Sequence, residues 1–187
     1  MDVSQSLLVA MMFVTVLSIG IGNILMGLSG VIQRGSGISV HWLPLAWVLV
    51  LLLIHFELFW QTLVILEVKE WKFGEFLFVI VGPVLLLFAT SFMLPDSARA
   101  ADGDYRAHYF SIARRFFTLL AALMAWLVCV DLLFAGGMTI YSWFNLIEVA
   151  LLLVLAFAKQ ERLHQAVTIL AVGIFVLSFS LQGLGVG

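Results

Sequence analysis

Three carboxyl side chains, Glu57, Asp131 and Glu148, interrupt segments that are otherwise apolar enough to cross a bilayer. No lysine or arginine lies within those segments to pair with them. An ionised side chain at membrane depth costs about 3 kcal/mol on insertion scales, so such residues usually face a bundle interior, a water-filled cavity or a proton path. These acids are therefore the residues of the sequence most suited to chemistry.

Two of the acids have polar companions at helical spacing, since positions three or four apart share one face of a helix. The companions are Gln61 for Glu57, and Tyr141 and Asn145 for Glu148. His55 is only two residues from Glu57, so it is expected on a different face of the same helix. A histidine in that setting more often satisfies a hydrogen bond in the core than binds a metal ion.

The composition sets the class of protein. Of 187 residues, 64% are hydrophobic and 11% are charged, whereas a soluble domain carries about 25% charged residues. The chain is therefore expected to be an integral membrane protein. Its single cysteine, Cys129, excludes an intramolecular disulfide and a cysteine-based zinc or iron–sulfur site.

The sequence predicts one all-α transmembrane domain over residues 1–187. A helix needs about 20 apolar residues to cross the hydrocarbon core, and six segments meet that length. The predicted spans are 7–32, 42–66, 75–94, 116–136, 138–158 and 163–184. Only Gly136-Gly137 separates the fourth span from the fifth, which predicts a tight helical hairpin. Residues 98–115 are predicted to form an amphipathic cytoplasmic helix that leads into the fourth span.

Basic residues indicate the orientation, because cytoplasmic loops are rich in lysine and arginine. Seven of them fall on one side of the membrane: Arg34, Arg99, Arg106, Arg114, Arg115, Lys159 and Arg162. Only Lys69 and Lys72 fall on the other side. This distribution predicts that both termini lie outside. The N-terminus lacks the positive region of a cleavable signal peptide, so the first segment is expected to be a permanent helix.

In this orientation all three acids lie in the outer half of the membrane. At about 1.5 Å per residue, Asp131 is about 8 Å deep, Glu57 about 13 Å and Glu148 about 15 Å. If their faces converge, they form an acidic funnel that attracts protons or cations, and carboxyl groups close together share protons. Alternatively, each acid is a hydrogen-bonding strut between helices, worth about 0.6 kcal/mol, and Asp131 is simply hydrated.

Two further features concern assembly. A shift of 101 residues aligns Trp42 with Trp143 and Leu51 with Leu152, which is compatible with a 3+3 inverted repeat of the kind that many transporters have. The first span also contains four small residues that permit close helix approach. These are Gly20, Gly22, Gly27 and Gly30, which would serve either internal packing or a homo-oligomer seam.

The basic segment before the fourth span is a second candidate surface. Arg106, Arg114 and Arg115 surround aromatic residues at helical spacing. We expect these arginines to hold anionic lipid headgroups, each worth about 1 kcal/mol, and a soluble partner is the alternative ligand. No nucleic acid is expected as a partner.

The sequence predicts no cofactor. Haem between membrane helices needs axial ligands on facing spans, whereas His41, His108 and His164 fall in or beside loops and only His55 lies within a span. The zinc-binding pattern H-E-x-x-H is not formed around His55 and Glu57. An enzyme is therefore the least favoured class of function.

Part of the chain resembles a group of uncharacterised bacterial membrane proteins with six spans. The residues that carry the resemblance are Trp71-Lys-Phe-Gly-Glu-Phe, Gly82-Pro83, Pro95-Asp96, Tyr105-Arg-Ala-His-Tyr-Phe and Arg114-Arg115-Phe116-Phe117. They cover about residues 71–117. The resemblance implies a bacterial inner-membrane location and no particular activity, and it stresses residues other than the buried acids.

Two functional hypotheses follow. The first is a small channel or carrier for protons or small cations, in which Glu57 and Glu148 bind the ion and Asp131 lies at the outer mouth. The second is a non-transporting scaffold, sensor or accessory subunit, in which the acids are struts and the basic segment is the working surface.

Overall fold

The computed structural model of the protein describes residues 5–33, 41–93 and 105–183. Within these ranges all regular secondary structure is α-helix. In chain order the helices are α1 (Gln5–Gln33), α2 (Trp42–Glu67), α3 (Phe73–Met93), α4 (Tyr105–Phe134), α5 (Ile140–Phe157) and α6 (Glu161–Gly183). Each contains a stretch long and apolar enough to cross a membrane. The predicted all-α, six-span class is confirmed, and these apolar helices are consistent with contact to a lipid bilayer.

The helix ends agree with the predicted spans to within two residues, with one exception. α4 begins at Tyr105 rather than at Phe116, because no glycine or proline separates residues 105–115 from the fourth span. The basic segment and the span are thus one helix of 30 residues. Several predicted features lie outside the described residues: 98–104 of the linker, Arg34, Leu94, Pro95-Asp96 and Leu184.

The predicted hairpin between the fourth and fifth spans is present. Five residues, 135–139, connect α4 to α5. Gly136 has a φ of 74°, a left-handed conformation that glycine adopts without a steric penalty. Thr139 then caps α5: its hydroxyl accepts the Ser142 N–H at 3.2 Å, and the Ser142 hydroxyl accepts the Thr139 N–H at 3.0 Å. This reciprocal capping box stabilises the start of α5.

The helices fall into two compact units of three helices each. The first unit contains α1, α3 and α2 from Trp47 onward. The second contains α4, α5, α6 and the beginning of α2 up to Ala46. The predicted halves divide the chain at nearly the same place, and the inverted repeat between them stays a prediction.

In the first unit, α1 packs along α3. Phe13, Leu17 and Ile24 of α1 are buried, as is Leu86 of α3. The first turn of α1 is held by the connection between α2 and α3, since the Ser6 hydroxyl donates to the Val68 carbonyl. A long apolar helix is thereby fixed at one end by a polar contact.

In the second unit, α5 packs against both of its neighbours in the chain, α4 and α6. The core of α4 is aromatic where the helix begins: Tyr109, Phe116 and Phe117 are fully buried. Farther along, Leu120 of α4 and Leu155 of α5 are also buried. Because lipid is as apolar as these side chains, van der Waals packing rather than the hydrophobic effect holds such helices together.

Candidate functional site

Glu148 is the most unusual polar residue of the second unit. It stands at the middle of the 18-residue helix α5, and only 6% of its surface is exposed. Within the described part of the chain, the side-chain oxygen Oε1 has no hydrogen-bond partner. A buried polar atom without a partner costs about 1–3 kcal/mol, so this placement calls for a functional explanation.

The helical period of α5 explains why Glu148 points inward. Tyr141, Asn145 and Glu148 follow each other at intervals of four and three residues, and Leu152 and Leu155 continue the same stripe. Tyr141 and Asn145 are half-buried, and the two leucines are fully buried. The predicted polar stripe therefore lies on the buried side of α5 and runs from the hairpin end to the middle of the helix.

Asp131, near the end of α4, is held firmly by two hydroxyl groups. Its Oδ2 atom accepts a hydrogen bond from the Thr139 hydroxyl at 2.9 Å and another from the Ser142 hydroxyl at 2.6 Å. Both donors belong to the capping box at the start of α5, where the helix dipole also favours a negative charge. Asp131 thus ties the end of α4 to the start of α5, and its hydrogen bonds are those of a structural residue.

Asp131 and Glu148 lie at different levels of this unit. Asp131 is level with Ser142, and Glu148 comes six residues later on α5, about 9 Å farther along the helix. Between them the stripe offers Asn145. The second unit therefore has a partnered carboxylate at its hairpin end and, at mid-helix, a carboxyl group whose Oε1 atom has no partner among the described residues.

In the first unit, His55 is the fully buried titratable residue of α2. Its Nδ1 atom lies 2.7 Å from the Leu51 carbonyl oxygen, which can only accept, so Nδ1 carries the proton. No described residue offers a hydrogen bond to Nε2. A β-carbon added to Gly20 of α1 would stand 2.1 Å from Nε2. Gly20 is thus required for internal packing, whereas an added β-carbon at Gly22 would meet no atom within 4 Å.

Glu57 and Gln61 lie on another face of α2 and are half-buried. His55 instead shares its buried face with Thr62, seven residues later. The expectation that His55 and Glu57 face different ways therefore agrees with their exposure. The acidic funnel would draw on residues of both units, and it stays a prediction.

The basic residues at the start of α4 have distinct surroundings. Arg106 pairs with Glu161 of α6, with its Nη2 atom 2.5 Å from Oε2 and its Nε atom 3.1 Å from the same oxygen. Arg114 is exposed and places its guanidinium 5.3 Å from the centre of the Phe157 ring. Arg115 is exposed. Arg106 is thus engaged within the protein, while Arg114 and Arg115 face outward.

A polar cluster at the same end of the unit was not predicted. His164 of α6 is fully buried; its Nε2 donates to the Ala158 carbonyl at 3.1 Å, so its Nδ1 accepts from the Tyr109 hydroxyl at 3.1 Å. Nearby, His41 Nε2 contacts Glu161 Oε1 at 3.0 Å. These bonds fasten the starts of α2, α4 and α6 to each other.

A signal for this cluster is present in the sequence. Arg106 and Tyr109 are three residues apart on α4, and Glu161 and His164 are three residues apart on α6. Each pair shares one helix face, and the chemistry of the pairs is complementary, carboxylate to guanidinium and imidazole to hydroxyl. Matching such pairs across two helices would have predicted the contact.

A metal site or a likeness to a known protein would each indicate a function. Among residues 5–33, 41–93 and 105–183, no group of three or more His, Cys, Asp or Glu side chains is placed to hold a metal ion. Comparison with protein-family models, with curated proteins and with solved structures finds no match. The chemistry of the buried acids, the buried imidazoles and the exposed arginines therefore carries the functional argument.

Proposed function

We propose that the protein is a small integral membrane channel or carrier for protons or small cations, and that Glu148 is its binding group. The observation that supports the proposal is a carboxyl group buried at the middle of a membrane-length helix with one oxygen left without a described partner. Acids at this depth are costly and usually mark an ion or proton path.

The chemistry favours the proton among these ions. A carboxylate at membrane depth needs a proton or a cation to balance its charge. A proton requires only one basic oxygen, whereas magnesium and calcium require six or more oxygen ligands, at about 2.0–2.6 Å. Glu148 offers one free oxygen, and its neighbour on the stripe, Asn145, offers one amide. This donor set suits a single proton better than a desolvated cation.

The hairpin end provides the proposed entry. Tyr141 and Asn145 form the part of the α5 stripe between that end and Glu148, so a water or proton that reaches them is within about two helical turns of the carboxyl group. We keep Asp131 at the proposed mouth, although its Oδ2 atom already accepts two hydrogen bonds. We therefore assign it to holding the mouth in shape.

The first unit supplies a second set of candidate groups. Glu57, Gln61 and His55 were predicted to take part, and Glu57 is half-buried in α2. We propose that Glu57 is a second ion-binding group. The proposed orientation, with both termini outside in a bacterial inner membrane, would place both acids in the outer half.

Proton flux into liposomes tests the proposal. The purified protein is reconstituted with a pH-sensitive dye inside the vesicles, and a potassium diffusion potential drives protons inward. We expect Glu148→Gln to reduce the flux to the level of empty vesicles and Glu57→Gln to reduce it strongly. Glu70→Gln is the matched control, because Glu70 is exposed in the connection between α2 and α3. Wild-type flux in Glu148→Gln, or no flux in the wild type, would show that the proposal is wrong.

The second candidate function is a non-transporting scaffold, sensor or accessory subunit. Exposed Arg114 and Arg115 favour it, because they provide positive charge at one end of the second unit. In that case the wild-type protein gives no flux, and a partner that co-purifies with it is lost from the variant with Arg114→Glu and Arg115→Glu. The same preparation therefore separates the two functions.

A further inference from the structure

The end of the second unit where α5 stops carries an excess of positive charge. Arg114, Arg115, Lys159 and Arg162 are all exposed there. The carboxylate of this end, Glu161, is occupied by Arg106 and His41. Within the described residues, no carboxylate forms an ion pair with the four exposed cations. Among the described residues, nothing therefore neutralises this charge, which suits it to binding an anion.

The length of α5 fixes where this charge lies relative to the membrane. The helix has 18 residues and is about 27 Å long, close to the thickness of the hydrocarbon core, about 30 Å. Its last residue, Phe157, therefore lies near the boundary between acyl chains and headgroups. Arg114 is level with Phe157, since its guanidinium lies over that ring. This arginine consequently stands at the depth of lipid phosphates.

The surroundings of Arg114 combine a cation with an exposed apolar surface. Phe157 is 64% exposed, and Leu153 and Val154, one turn earlier on α5, are 40% and 44% exposed. The cation–π contact with the ring restrains the guanidinium, and its N–H groups can bind a phosphate with two parallel hydrogen bonds.

The geometry points to a binding site for one anionic phospholipid, with the phosphate on Arg114 and an acyl chain along Phe157 and the exposed residues of α5 before it. Lys159, in the short connection from α5 to α6, and Arg162, in the first turn of α6, add attraction for an anionic headgroup. The site differs from the predicted set of arginines: Arg106 is engaged with Glu161, and Phe157 contributes the apolar part. A free phosphate would use the guanidinium alone and leave the apolar surface uncovered.

Native mass spectrometry of the protein in mild detergent tests the site. Phosphatidylglycerol or phosphatidylcholine with identical acyl chains is added, and the retained lipid is measured. We expect preferential retention of phosphatidylglycerol. Arg114→Gln is expected to weaken it about fivefold, the factor that corresponds to about 1 kcal/mol for one arginine near anionic lipid. Phe157→Ala is expected to weaken the retention of both lipids. Lys69 is an exposed cation of the other unit, and Lys69→Gln is expected to leave the retention of both lipids unchanged.

Three results would overturn the assignment. The first is equal retention of phosphatidylglycerol by the wild type and by folded Arg114→Gln. The second is complete displacement of the lipid by inorganic phosphate, which would indicate a site for free anions. The third is absence of lipid preference together with a soluble protein that leaves on Arg114→Gln. If Arg114→Gln does not fold, Arg114→Lys is the deciding variant. Lysine keeps the charge but lacks the planar guanidinium with its paired N–H donors. Intermediate lipid retention would support the site, and unchanged retention would contradict it.

Discussion

Asp131 and Glu148 belong to the same pair of packed helices, about 9 Å apart along α5, and their surroundings are opposite. The Oδ2 atom of Asp131 accepts two hydroxyl hydrogen bonds, and the residue is half-buried at the hairpin end. Glu148 is almost completely buried at mid-helix, and its Oε1 has no described partner. Two acids that look equivalent as charges inside apolar segments therefore have different physical costs.

This difference indicates which acid the fold needs. Hydrogen bonds to a charged group contribute about 1.5–3 kcal/mol each, so Asp131 stabilises the hairpin. The Oε1 atom of Glu148 forms no hydrogen bond with a described residue and so contributes no such stabilisation, while burial of the carboxyl group costs desolvation energy. A residue that the fold would do better without is the stronger candidate for function.

The largest expected effect is on the partnered acid. Asp131→Ala removes the acceptor of both hydroxyls, and we expect it to lower the free energy of unfolding by about 3 kcal/mol. Thermal unfolding in detergent, followed by intrinsic tryptophan fluorescence, measures the change. Asp131→Asn keeps one acceptor oxygen and should lose about half as much. If Asp131→Ala unfolds like the wild type, the hydroxyl hydrogen bonds do not stabilise the hairpin, and Asp131 does not differ from Glu148 in stabilising the fold.

The same contrast occurs within one ring in the first unit. His55 has a bonded Nδ1 and an Nε2 without a described partner that faces Gly20. Gly20→Ala would place its β-carbon 2.1 Å from Nε2, and because Leu51 tethers the ring we expect a loss of about 2 kcal/mol, typical of overpacking.

Gly173→Ala is the control for this prediction, since a β-carbon there meets no atom within 4 Å and alanine gains up to about 1 kcal/mol of helix propensity. Both variants are compared by thermal unfolding. Equal stability of Gly20→Ala and Gly173→Ala would mean that the His55 ring moves aside without cost.

The architecture could be predicted well from the sequence because its signal is simple. Apolar length alone located six spans, and the Gly136-Gly137 pair located the hairpin, since a left-handed residue is needed there. The predicted fourth span begins at Phe116, whereas helix α4 begins at Tyr105, because the arginines at 106, 114 and 115 lower the hydropathy of a segment that nevertheless continues as a helix. Hydropathy indicates which part of a helix is apolar enough to lie in the membrane, whereas the continuity of the helix depends on the absence of helix-breaking residues.

The candidate site could be predicted only in part. Spacing placed Tyr141, Asn145 and Glu148 on one face, because helix periodicity is a local property. The partners of Asp131 were missed, although Thr139 and Ser142 stand close in sequence, because their approach depends on the geometry of the turn. The contact between Tyr109 and His164 joins residues of two helices, and single-residue patterns do not report such pairing.

A smaller effect of opposite sign is expected at the unpartnered acid. Glu148→Leu removes a buried carboxyl group and fills its volume with an apolar side chain, so we expect a gain of about 1 kcal/mol in the free energy of unfolding. Proton flux should be lost in the same variant. A loss of stability in thermal unfolding, with Glu148→Gln close to the wild type, would instead identify Glu148 as a hydrogen-bonding strut and favour the scaffold hypothesis.

The smallest expected effect is the energetic coupling between Asp131 and Thr139. The Thr139 hydroxyl donates to Asp131 and also accepts the Ser142 N–H, so Thr139→Val loses a helix cap worth about 1 kcal/mol as well as a donor to the acid. In a double-mutant cycle, Asp131→Ala and Thr139→Val should therefore cost less together than the sum of the single variants, with a coupling of about 0.5–1 kcal/mol. Thr139→Ser, which keeps the hydroxyl, is the control. Strict additivity would mean that the cap and the carboxylate act independently, and that Asp131 stabilises the hairpin through Ser142 alone.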